Sequence, residues 1–172
     1  MVRYAQGDQT AFEALYLRYE ERVYGFCLRF LGDSDAASDA FQETFKRLVD
    51  SREAYQPRGR FQSWLFTLAR RACLDQVRSA ERAASVADDS TLAQPDPAGA
   101  TSVAEHVADR DEAQRLLALI PAEQREVVLL SKYYGFSYGE IAEMLSSTQM
   151  AVKQKAYRAL QTLRTHMWEE EE

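Results

Sequence analysis

FSYGEIAEMLSSTQMAVKQKAYRALQTL, residues Phe136 to Leu163, reads as two short helices joined by a tight turn. Ser137 is placed to cap the first helix, and Glu140 three residues on completes a capping box. Ile141, Ala142 and Leu145 then share one face at helical spacing. The run Ser146-Ser147-Thr148 breaks the pattern, with Ser146 or Ser147 where such turns often hold Gly. In the second helix Met150, Val152, Ala156, Ala159, Leu160 and Leu163 form the apolar side. Gln149, Lys153, Gln154, Tyr157 and Arg158 form the opposite side. A helical hairpin inside a bundle is the plainer reading. Small Ala142, one turn before the break, favours the close crossing of a helix-turn-helix, whose second helix lies in the DNA major groove and reads base edges.

Composition agrees with an all-helical chain. Gly and Pro are scarce, at 7 and 4 of 172 residues, whereas good helix formers abound. No apolar run approaches the length of a membrane-spanning helix and no charged-then-apolar leader is visible, so the expected location is the cytoplasm, without membrane insertion. Cys27 and Cys73 lack metal-binding spacing and stand among apolar residues, which predicts buried free thiols. His106 and His166 are too isolated for a zinc site. No acid/base constellation, nucleophile motif or phosphate loop is present, so neither an enzyme nor a cofactor or metal is expected. The net charge of −6 hides a division. Residues 1–82 sum to +1, residues 83–112 to −6, residues 113–168 to +3 and the last four, all Glu, to −4. Local charge governs phosphate contact, so the acidic total does not exclude DNA.

Upstream, Asp8 to Leu31 repeats Phe12, Leu15, Tyr16, Tyr19, Val23, Phe26, Cys27 and Phe30 at helical spacing, closed by Gly32-Asp33. A second helix starts at Ser34 or Asp35 and ends about Arg52. Its apolar positions are Ala37, Ala40, Phe41, Phe45, Leu48 and Val49, with Asp39, Gln42, Glu43 and Lys46 alongside. Pro57 and Gly59 mark a loop. A third helix, Phe61 to Arg82, has Trp64, Leu65, Leu68, Ala72, Val77 and either Cys73 or Leu74 on its apolar side. Six Arg from Arg58 to Arg82 face only Asp75 and Glu81. Rings and arginines together suit an unpaired nucleic-acid strand; core rings beside solvated arginines satisfy the spacing equally. Ala83 to about Val103 reads as a linker. A fourth helix is expected over Ala104 to Leu119, with acidic residues at its start. A fifth opens at Pro121, turns Val127, Val128, Leu130 and Tyr133 inward and ends near Gly135.

Four stretches, in order, resemble the group-four extracytoplasmic-function sigma factors: GDQTAFEALYLRY from Gly7, SDAFQETFKRL from Ser38, FQSWLFTLARRACLDQVR from Phe61 and IPAEQREVVLLSKYYGFSYGEIAEML from Ile120. The second is similar to the family's D-x-x-Q-E-x-F, the third to its F-x-x-W-L-x-x-I-A-R-N, and the fourth to its L-P-x-x-x-R and G-x-S-Y-x-E-I-A.

The resemblance implies two small helical domains. These are a three-helix region 2 over residues 1–82 and a four-helix region 4 over residues 105–168. A flexible acidic linker, residues 83–104, joins them, and an acidic tail, 169–172, comes after. It implies a non-catalytic promoter-specificity subunit of RNA polymerase. Asp39, Gln42, Glu43 and Phe45 would neighbour the β′ clamp helices of core polymerase, with further contact to the β subunit. Tyr55, Arg58, Arg60, Trp64, Arg70, Arg71 and Arg78 would melt and hold the −10 element. Gln149, Lys153, Gln154, Lys155, Tyr157 and Arg158 would read the −35 element. The expected partners are core polymerase, promoter DNA and an anti-sigma factor, with the active form a monomer.

Arg71 stands where the family usually has Asn, and Ala151-Val152-Lys153-Gln154-Lys155 where it often has Thr-Val-Lys-Ser-Arg. The loss of Thr removes a phosphate contact or a cap, and Gln154 offers a bidentate adenine reader. Linker acids such as Asp88, Asp89 and Asp96 would mimic RNA or merely space the domains. The terminal glutamates would cover Lys153, Lys155 and Arg158. The competing readings are a stand-alone helix-turn-helix regulator and an interaction module without promoter function.

Overall fold

The computed structural model describes residues 1–57, 59–87 and 112–169. Every regular element among them is helical. Arg58, residues 88–111 and residues 170–172 lie outside the described residues. With them lie the expectations for most of the linker, for the start of the fourth helix and for the tail.

Helix α1 (Val2–Ala5) precedes the long α2 (Thr10–Leu31). Asp8 holds the start of α2, its Oδ1 accepting from the backbone N–H of Thr10 at 3.0 Å and of Ala11 at 3.3 Å. Gly32, at φ 76°, ends it by donating to the Leu28 carbonyl. Asp33 then caps α3 (Ser34–Asp50), accepting from Ala36 N–H at 2.7 Å. Helix α4 (Phe61–Ala87) runs five residues past the expected end at Arg82, because Ala83 to Ala87 contain no helix breaker.

The second half begins with α5, residues 112–118 of the helix expected over 104–119. Pro121 precedes α6 (Ala122–Val128), which continues into a π-helical turn, Leu129–Tyr133. Helices α7 (Tyr138–Met144) and α8 (Gln149–Glu169) complete the chain. The π turn corrects one expectation. Tyr134 N–H donates to Leu129 C=O, five residues back, and the extra residue in the turn rotates the side chains beyond it. Leu129 and Leu130 both face the core, while Tyr133 turns outward, 47% exposed, with the Arg29 guanidinium 5.1 Å from its ring centroid. Tyr134 takes the inward place instead, its ring 4.7 Å from that of Phe66.

One apolar cluster runs through both halves. Val23, Phe26, Cys27 and Phe30 of α2 meet Ala37, Ala40, Phe45 and Leu48 of α3 and Leu65, Phe66, Ala69 and Cys73 of α4. Each fully buried Phe or Leu contributes about 1.5–3 kcal/mol. Cys27 and Cys73 are buried free thiols, as the sequence predicts. Burial, and then the neighbouring Cys27, push the Cys73 thiol well up, away from the reactive thiolate. The cluster continues through Leu117, Ile120, Val127, Leu129, Leu130 and Phe136 to Ile141, Val152, Ala156 and Ala159. Gly25 permits the close approach of the halves on α2. A side chain there would meet Arg29 at 2.9 Å and the Tyr134 hydroxyl at 3.6 Å. No helix among the described residues is long and apolar enough to cross a membrane.

Candidate nucleic-acid interface

The helix-turn-helix forms as its sequence dictates. Ser137 Oγ accepts from Glu140 N–H at 3.3 Å, and Glu140 Oε2 accepts from Ser137 N–H at 2.9 Å, closing the capping box. The Ser137 N–H, and then the Ser137 hydroxyl donating to the same oxygen at 2.8 Å, hold the Glu140 carboxyl below its usual range. Helix α7 ends where Ser146 adopts φ 49°, the left-handed conformation more often given to Gly. Ser147 N–H donates to Ala142 C=O at 2.8 Å and Ser146 N–H to Glu143 C=O at 3.1 Å, the bonding of a Schellman turn. Thr148 Oγ1 accepts from Ala151 N–H at 3.2 Å and caps α8, so a capping threonine remains although Ala stands at 151.

Val152, Ala156 and Ala159 fasten α8 to the core. Gln149, Lys153, Gln154, Tyr157 and Arg158 point into solvent. Gln161 Nε2 donates to the Tyr157 hydroxyl at 2.8 Å and steadies that ring. Two residues assigned to the apolar side are corrected. Met150 is 75% exposed and Leu160 is 45% exposed, because α8 rests on α6 and α7 along a narrow seam that 152, 156 and 159 already fill. Lys155 turns the other way, its Nζ 2.9 Å from Glu123 of α6. That bond lowers the Glu123 pKa. The surface left to solvent carries hydrogen-bond donors, an aromatic ring and two fixed cations on one helical face, which is what base-edge and phosphate contact requires.

The second candidate surface surrounds the start of α4. Tyr55 lies edge-on to Trp64 at 5.0 Å, and Phe61 links Trp64 at 5.8 Å to Tyr19 at 5.4 Å. Trp64 is half-buried against the core and also belongs to this aromatic group. Burial raises the Tyr55 hydroxyl pKa. The arginines divide. Arg71 is exposed, and Arg78 is largely exposed with its Nη1 3.6 Å from Asp75. Arg60 Nη1 lies 3.0 Å from Glu140, and the Arg70 guanidinium is joined to Glu126. Glu126 is 0% exposed. Desolvation pushes its carboxyl up, against the pull of Arg70.

Arg70, Arg71 and Arg78 share a pocket of about 320 Å³ with Arg47, Leu74 and Asp75. Sequence reasoning missed Arg47. It crosses from α3 to α4, bonding Glu43 at 2.7 Å and Asp75 at 2.8 Å. The i, i+4 spacing from Glu43 was the available signal.

On α3, Asp39 and Gln42 are exposed, and Glu43 is half-exposed and held by Arg47 and Lys46. Phe45 faces inward, its ring 4.9 Å from Tyr16 and 5.1 Å from Phe41, and so supports the helix from beneath.

Two helical modules, one with an aromatic and arginine-rich helix and one with a helix-turn-helix, define the class of sigma-70-type initiation factors. The family model described as Sigma-70 region 2 matches residues 15–83, and that described as Sigma-70, region 4 matches residues 110–163. RNA polymerase sigma factor CarQ of Myxococcus xanthus is 33% identical over 167 residues, covering 95% of this chain and 93% of CarQ. ECF RNA polymerase sigma factor SigK of Mycobacterium tuberculosis is 30% identical over 166 residues, covering 94% and 88%. Two solved structures share the fold. CnrH in complex with the cytosolic domain of CnrY has a TM-score of 0.74 and 20% identity, over 96% of this chain and 93% of that one. RpoE in complex with the anti-sigma factor NepR, from Bartonella quintana, has a TM-score of 0.71 and 22% identity, over 90% and 95%. The chain belongs to the extracytoplasmic-function (ECF) family of RNA polymerase sigma factors. It is a promoter-specificity subunit of RNA polymerase, and the stand-alone regulator is not favoured.

Proposed function

We propose that this chain docks on core RNA polymerase through the exposed face of α3, with Asp39, Gln42 and Glu43 against the β′ clamp helices and further contact to the β subunit. Tyr55, Arg58, Arg60, Trp64, Arg70, Arg71 and Arg78 take the −10 element, and the ring group offsets the few kcal/mol of unstacking a base. Gln149, Lys153, Gln154, Tyr157 and Arg158 read the −35 element, with Lys155 beside them. Region 2 spans residues 1–82 and region 4 residues 105–168, joined by the acidic segment 83–104. The chain acts without catalysis, as a monomer in the cytoplasm, and an anti-sigma factor holds it inactive. The complexes of CnrH with CnrY and of RpoE with NepR support that last partner by analogy.

The observation that carries the reading is the outward face of α8, polar and cationic from Gln149 to Arg158 above a buried Val152, Ala156 and Ala159. The test is footprinting of holoenzyme carrying Lys153→Ala with Gln154→Ala. Protection of the upstream element should fall while core binding is retained. Unchanged protection would remove this face from promoter recognition.

A further inference from the structure

We infer, resting on the proposed −35 role of α8, that Met150 is a further specificity-determining residue of that surface and packs on the 5-methyl group of a thymine in the major groove.

Helical spacing puts Met150 with the apolar side chains of α8, but the folded chain turns it to solvent. At 75% exposure it is the most exposed of the large apolar side chains among the described residues. A single exposed apolar residue ordinarily needs no explanation. Met150 differs in its company. At about 100° per residue, positions 150, 154, 157 and 161 fall in one narrow stripe. That stripe lies opposite the buried Val152, Ala156 and Ala159. Met150 heads it, one turn before Gln154 and two before Tyr157, with the exposed Lys153 and Arg158 on either flank. The first turn of α8 is also fixed in place. Thr148 Oγ1 accepts from Ala151 N–H at 3.2 Å, and Val152 N–H donates to Thr148 C=O at 3.1 Å. Met150 stands between these anchors, so the backbone sets its direction.

Chemistry selects what Met150 meets. The groups that mark the four bases in the major groove are hydrogen-bond donors and acceptors, with one exception, the thymine methyl. A thioether has no donor and is only a weak acceptor, so it offers nothing to a phosphate or a polar base edge. It is flexible and apolar, and packs well on a methyl group. The cations and amides around Met150 bring it to the groove, since they complement phosphates and base edges. Gln154 suits an adenine, whose partner presents a thymine methyl in the same groove. Four residues of α8 advance about 6 Å and a base step about 3.4 Å, so Met150 meets a thymine within about two base pairs of the pair that Gln154 reads.

The test uses holoenzyme and a promoter duplex recovered by run-off transcription from a genomic fragment pool. Each thymine of the upstream element is replaced in turn by deoxyuridine, which keeps every hydrogen-bonding group and lacks only the methyl. At one thymine the replacement should weaken binding of wild-type holoenzyme by roughly fourfold, the worth of one buried methyl group. Met150→Ala should bind the two duplexes equally, and Met150→Leu should restore the difference. The side chain lies outside the core, so both variants should keep the wild-type helical circular dichroism. An equal response of wild type and Met150→Ala at every thymine would overturn the contact, as would an upstream element without thymine on either strand. Weaker competition for core polymerase by Met150→Ala, with the wild-type ratio between the two duplexes, would place the side chain on polymerase and overturn it too. Lys153→Ala with Gln154→Ala separates this failure from that of the −35 reading. Upstream protection lost with that pair would keep the face and discard Met150 alone. Unchanged protection, or no promoter recovered from the pool, would remove the face and Met150 with it.

Discussion

Single residues here carry more than one obligation. Glu140 caps α7 through Ser137 and pairs with Arg60. Its carboxyl is held below its ordinary value of 4.5 in the folded chain. A depressed carboxylate contributes stability that is present above the unfolded pKa and lost as the pH falls through the folded one. Glu140→Ala should therefore lower stability at neutral pH, and the gap from wild type should narrow as the pH falls from 4.5 through the lowered folded pKa, as measured by denaturant unfolding across pH. Ser146 is the opposite case. Its left-handed backbone strains any side chain, so Ser146→Gly should raise stability by about 1 kcal/mol, readable as a higher melting temperature with the reading face intact. Ser146 also shows what a sequence conveys. The interruption at Ser146-Ser147-Thr148 located the turn, but only the backbone reveals which serine bends left-handed.

At the scale of elements, caps and periodicity were legible because they are local. The Ser137 box, the Gly32 stop and the Asp33 start form where their residues stand. The inward face of α8 was legible in part. Helical spacing cannot tell how wide the supporting seam is, and so it counted Met150 and Leu160 as core. The π turn at Leu129–Tyr133 was not legible, because one extra residue per turn breaks the phase on which such counting depends, and Tyr133 and Tyr134 exchange roles. Two predictions belong here. Arg158→Ala should weaken binding of holoenzyme to its −35 element by about 1–3 kcal/mol, measured by fluorescence anisotropy at fixed salt; unaltered affinity would make it a solvated residue. Gln42→Ala with Glu43→Ala should reduce competition for core polymerase while leaving the helical circular dichroism unchanged, since both side chains lie outside the core.

Across the whole molecule, the site proposed for the −10 strand proves inseparable from the way the halves meet. Sequence placed Arg60 in the loop before a basic helix and Arg70 on that helix but was silent on their partners. Glu140 and Glu126 lie 80 and 56 residues further along the chain. Pairings of that separation depend on tertiary packing, not on local pattern. Arg125 is the clearest structural tie across the seam. Arg125→Ala should cost about 2–3 kcal/mol of unfolding free energy, because it leaves the carbonyls of Leu117, Ile120 and Phe30 short of donors. Chemical denaturation, with the slope compared to wild type, checks it.

A chain that selects promoters for RNA polymerase through two helical reading surfaces should direct initiation at sites sharing two upstream elements. Run-off transcription from a genomic fragment pool, with purified core polymerase and this protein, tests it most directly. The expected result is defined transcripts whose starts share an upstream pair of elements, lost when Lys153→Ala and Gln154→Ala are combined. Transcripts with no shared upstream elements, or none at all beside tight duplex binding by the chain alone, would contradict it.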